Sequence, residues 1–128
     1  MKEDYLDTMY YLYNFDKIDK FIREEKEKLD YEFEFNDRLA IFNRNSKNEK
    51  VKKNIKDLEK IKELIIFYLN ICKERDPLEY RFIRLKFFEK MDENQIFKEL
   101  RINSEKQEDI TRVVVFFFCN QFKKAGVI

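Results

Sequence analysis

"RVVVFFFCN", Arg112–Asn120, decides how this chain folds. Three valines and three phenylalanines stand together in a chain that is 41% charged. The run is far shorter than the roughly 18 apolar residues that span a bilayer. It is also bounded by Arg112 on one side and by Lys123 and Lys124 on the other. It is therefore a strand or one wall of a helical core. Ile110, Val114, Phe117 and Phe118 repeat at i, i+4, i+7 and i+8, and Val113, Phe116 and Phe122 widen the stripe. That spacing fits a helix buried on most of its circumference. The β-branched valines lower intrinsic helicity, so a strand stays open as the alternative.

The segments upstream favour the helix. The 128 residues include one Gly (Gly126) and one Pro (Pro77). An all-β chain needs turn residues far more often. Three helix starts follow in series, each with a side-chain oxygen placed to accept an orphan backbone N–H. They are Asp76-Pro77-Leu78-Glu79, Asp92-Glu93-Asn94-Gln95 and Ser104-Glu105-Lys106-Gln107. They predict helices over about 77–90, 93–100 and 104–124, the last closed by Gly126.

Further upstream, Val51, Ile55, Leu58, Ile61, Leu64, Ile65, Tyr68, Leu69 and Cys72 form one apolar stripe with Lys and Glu opposite. Asn43–Lys50 is the most polar stretch and reads as a linker. Residues 4–29 read as one or two helices with a break at Asn14–Asp16. Tyr31–Phe35, "YEFEF", alternates with a strand-like period, yet no partner strand is evident. It reads as helix or extended linker. The expected fold is all-α: a helical bundle with a C-terminal helix-turn-helix-like three-helix module. Its parts are an N-terminal helical region (1–46), a long charged amphipathic helix (47–76) and the module (77–128).

Charge is uneven along the chain. Residues 1–30 carry six basic and nine acidic groups, and residues 47–90 carry thirteen and eight. That basic middle is compatible with a polyanionic partner and equally with a solvated helix surface. The chain has no His for proton transfer near neutrality. It has no glycine-rich phosphate loop, no paired-Cys metal spacing and no nucleophile elbow. Neither an enzyme nor a bound cofactor or metal is expected. Cys72 and Cys119 lie in apolar stretches and no signal peptide is evident, which points to reduced core thiols in a cytoplasmic protein without a membrane anchor.

Tyr80–Ile128 resembles the C-terminal module of phage late-gene transcriptional regulators of the RinA/ArpU type, which is similar to the promoter-reading region-4 fold of sigma factors. The resemblance rests on the aromatic-rich helix Tyr80–Phe88, on Ile96 and Leu100 in a first motif helix, and on Ile102 in the turn. A long apolar helix ending in Gly-Val-Ile completes it. It implies a transcription regulator that binds double-stranded DNA. Lys106, Gln107, Thr111 and Arg112 would face the groove, and Arg81, Arg84, Lys86 and Lys90 would hold phosphates. Three positions depart from the family pattern. Phe97 stands where a small residue is usual, and Arg101 where Gly or a small polar residue is usual. Glu105–Asp109, "EKQED", stands where Thr, Tyr or Arg opens the recognition helix. Residues 92–112 hold six acids and four bases, and carboxylates oppose phosphate binding. The second expectation is therefore a protein–protein module on the same scaffold. It would bind RNA polymerase or inhibit another host protein, with a homodimer compatible with either reading.

Overall fold

The computed structural model describes residues 2–30 and 38–128, and side chains for 2–29 and 48–128. Six α-helices follow one another, with no strand among the described residues: α1 (Lys2–Tyr13), α2 (Ile18–Asp30), α3 (Arg38–Arg75), α4 (Pro77–Ile83), α5 (Glu93–Leu100) and α6 (Ser104–Lys124). The all-α bundle is thus observed, and "YEFEF" lies outside the described residues.

The break at Asn14–Asp16 is a single 3-10 turn, Phe15–Lys17, between α1 and α2. Asn43–Lys50 is not a linker but the interior of α3. That stretch contains neither Gly nor Pro. Once a helix is nucleated, each further residue adds a hydrogen bond at little cost. Its polarity therefore does not end the helix.

Helix α2 packs along α3, tied by Lys62 Nζ to Asp19 Oδ1 at 2.6 Å. Helix α6 packs against α1 and α3. The main core gathers Leu12 and Ile18, the α3 stripe, and Val114, Val115, Phe118 and Phe122 of α6. Tyr68 and Phe118 meet edge-on at 5.0 Å between ring centroids.

Asp76 caps α4, accepting from the Glu79 amide at 3.2 Å, with Pro77 in the first turn. The predicted helix 77–90 is not uniform: after Ile83 it widens into a π-turn over Arg84–Phe88. Glu89 N–H donates to the Arg84 carbonyl. The extra residue swings Phe87 into the main core beneath Tyr13, with ring centroids 4.8 Å apart. Asp92 and Gln95 form the reciprocal capping box at the start of α5. The third cap is Asn103 rather than Ser104. Asn103 Oδ1 accepts from the Lys106 amide at 2.8 Å, and Ser104 is already helical.

At the other end of α6, Gly126 takes φ 73°. Its N–H donates to the Lys123 carbonyl, and Val127 N–H to the Phe122 carbonyl. This paired closure needs a left-handed residue.

Candidate functional site

The expected three-helix module is present as a local frame. A second, smaller core of Phe82, Ile96 and Ile102, edged by Leu85, Met91, Leu100 and Ile110, holds α4, α5 and α6 together. Ile110 borders both cores. The turn between α5 and α6 is three residues, Arg101–Asn103. Arg101 adopts φ 58°, ψ 34° and donates its N–H to the Phe97 carbonyl. An arginine thus occupies the left-handed position where the resemblance expects glycine or a small polar residue. Phe97, where a small residue is expected, points outward and is 45% exposed.

The resemblance places Gln107 in a DNA groove, but it is 5% exposed. Its Nε2 donates at 3.0 Å to the Glu93 carbonyl and at 3.0 Å to the Ile102 carbonyl. It therefore bolts the first turn of α6 to both the start of α5 and the turn. It faces inward because it lies one helical turn after Asn103 on the side that α5 covers. Thr111, one turn on, is half-buried, and its hydroxyl donates to the Gln107 carbonyl at 2.8 Å. Of the four residues expected to read bases, only Lys106 and Arg112 are exposed.

These two cations belong to different clefts with no residue in common. Arg112 lines a cleft of about 270 Å³ with Tyr5, Lys86, Glu93, Ser104, Gln107, Glu108 and Thr111. It also lies 3.8 Å from Asp109. Lys106 lines a groove of about 220 Å³ with Asp76, Leu78, Glu79, Asp109, Ile110 and Val113.

The four expected phosphate contacts are also dispersed. Lys86 shares the Arg112 cleft, whereas Arg81 and Arg84 line neither cleft. Arg84 lies over the Tyr80 ring and donates to its hydroxyl at 3.3 Å. Lys90, at φ 56°, pairs with Asp16 at 3.4 Å. Lys86, Gln107, Thr111 and Arg112 thus meet in one cleft, and the other four predicted residues lie elsewhere.

A feature missed in the sequence is the outward half of α6. Val114, Val115, Phe118, Cys119 and Phe122 are buried, but Val113 is 64% exposed, Phe116 51% and Phe117 37%. The apolar stripe read from the sequence includes all three. A signal was available: seven consecutive apolar residues, Val113–Cys119, cover almost two turns. Some must face away from any one-sided core.

This outward surface continues into the Lys106 groove. Leu78, 40% exposed, lines the groove with Val113 and Ile110. Tyr68 links groove to surface: its ring lies 4.4 Å from that of Phe117, and its hydroxyl donates to Glu79 Oε1 at 2.6 Å. Burial pushes the Glu79 carboxyl above the usual carboxylate range. The Tyr68 hydrogen bond opposes that shift and Asp76 adds to it. Burial likewise raises the Tyr68 hydroxyl and the Cys72 thiol.

Among the described residues, no three His, Cys, Asp or Glu side chains converge as a metal site would require. No helix is long and apolar enough to cross a membrane among those residues. Comparison with protein-family models, curated proteins and solved structures finds no match.

Proposed function

We propose that this chain is a helical protein-interaction module built on a helix-turn-helix-like scaffold. The observation that carries the reading is the surface of α6, the helix that would read DNA in such a scaffold. It offers Glu105, Glu108, Asp109 and the apolar Val113, Phe116 and Phe117, while Gln107 is spent inside. DNA affinity rests on Lys and Arg clustered along a phosphate track. Here Lys106 and Arg112 belong to separate clefts, each holding carboxylates. Exposed apolar area beside charge is instead a mark of protein contact. RNA polymerase or a host protein offering a basic surface fits such a module.

Binding to mixed-sequence double-stranded DNA, followed by fluorescence anisotropy across a salt series, tests the reading. The expected result is no salt-sensitive binding at low-micromolar protein. A steep loss of tight binding with added salt would overturn it.

The second reading is a DNA-binding transcription regulator. It is favoured by the capped α4–α5–α6 order, the three-residue turn and the exposed Arg81 and Arg84. The same salt series decides between the two.

A further inference from the structure

We infer that the groove between the first turn of α4 and the middle of α6 is the docking site for a basic amphipathic helix of a partner protein. The inference rests on the protein-interaction reading and names the partner's chemistry. The groove has an apolar base and wall, formed by Ile110, Leu78 and Val113. Its apolar surface runs one turn further along α6 to Phe117, which packs on Tyr68. A ladder at i and i+4 is the spacing that receives the apolar face of a second helix.

Charge selects the occupant. Three carboxyl groups, Asp76, Glu79 and Asp109, line the groove against one ammonium, Lys106. Among the described residues, none of the three is locked in a tight ion pair. Asp76 caps α4 and Glu79 accepts from Tyr68. Asp109 has Arg112 as its one cation among the described residues, at 3.8 Å on the exposed surface. A helix with apolar anchors flanked by Lys or Arg would place cations against this rim. An acidic or neutral helix would leave the rim facing like charge or nothing.

The outer face of α3 serves as the internal comparison. Ile66 and Phe67 are exposed there, Phe67 at 64%. Yet their neighbours are Glu59, Lys62, Glu63 and Asn70, with no facing element among the described residues to form a second wall.

The test uses the full chain and two labelled synthetic amphipathic peptides. One is built of leucine and lysine, the other of leucine and glutamate. Anisotropy should show the lysine peptide bound at least about tenfold more tightly than the glutamate peptide. Val113→Asp and Asp109→Lys should each weaken it about tenfold, and Phe67→Asp should leave it unchanged. Each substituted side chain is exposed, and far-UV circular dichroism confirms that the variants stay folded. Equal affinity for both peptides overturns the proposal. So does a loss caused by Phe67→Asp and not by the groove variants. Sedimentation showing a dimer that Val113→Asp dissolves would assign the groove to a second copy of this chain and also overturn it. In all these cases the protein-interaction reading stands if DNA remains unbound. Salt-steep DNA binding would remove that reading itself.

Discussion

The two sides of α6 share the same apolar residue types, valine and phenylalanine, and do opposite things. Inward, Val114, Val115, Phe118 and Phe122 are fully buried and join α1, α3 and the π-turn into one core. Outward, Val113, Phe116 and Phe117 are exposed beside Asp109 and Lys106. Apolar residue type does not separate the halves; angular position does. The inward half is where stability resides, and the outward half is surface held in place by it.

The widest expected gap between the halves is a pair of phenylalanine truncations. Phe118→Ala opens a cavity in a fully buried site and should destabilise by about 3–5 kcal/mol. Phe116→Ala loses chiefly its edge contact with Tyr5, 5.9 Å between centroids, worth about 1 kcal/mol. Urea denaturation of both variants checks this. Similar losses would mean that the outward half is not free surface.

Gln107 is a polar residue doing the work of the inward half. Gln107→Leu leaves the Glu93 and Ile102 carbonyls without their shared donor and should cost about 1–3 kcal/mol. Hydrogen exchange should quicken in α5 more than in the C-terminal half of α6. A loss confined to DNA affinity, with stability unchanged, would return Gln107 to the surface role first expected of it.

Much of this frame was legible in the sequence. Asp76-Pro77 and the Asp92/Gln95 box mark helix starts because local chemistry alone satisfies the first amides. The stripe from Val51 to Cys72 shows its period plainly. What could not be read was which way a helix faces when its apolar run is unbroken. Val113–Cys119 has no polar side to set a phase, so the phase came from α1, α3 and α4. Nor could Gln107 be placed, since a surface glutamine and a buried clamp are the same letter. The π-turn likewise follows from tertiary demand on Phe87 and Phe88, not from local propensity.

The turn that separates α5 from α6 offers a gain instead of a loss. A left-handed conformation costs an ordinary residue about 1–2 kcal/mol, and glycine gives back about 0.5–1 kcal/mol through its freer unfolded chain. Arg101→Gly should therefore stabilise by about 0.5–1 kcal/mol, read as a raised urea midpoint. A loss would mean that the exposed Arg101 side chain makes a contact the fold depends on.

Glu79 gives the groove a pH signature. Its ordinary value is near 4.5, and burial raises it in the folded chain. The folded state then holds the proton more tightly than the unfolded state. Stability from this group is full below the unfolded value and falls as pH rises through the raised folded value. Glu79→Gln removes that fall, so its Tm should improve relative to the parent chain as pH rises from about 4 to about 7. The half-exposed site is screened by solvent, so the effect should stay below about 1 kcal/mol. A difference that does not change with pH would show that the Tyr68 hydrogen bond cancels the burial.

The smallest expected effect is the sharpest probe of the outward half. Valine and serine have similar helix propensities, and the Val113 side chain is mostly in water, beside the Lys106 groove. Val113→Ser should accordingly change stability by less than about 0.5 kcal/mol. It should do so equally at low and high protein concentration. A cost above about 1 kcal/mol that grows with concentration would mean that copies of the chain bury this residue against each other. The outward half would then be an inward half of a larger body, and the division of α6 into core and contact surface would have to be redrawn.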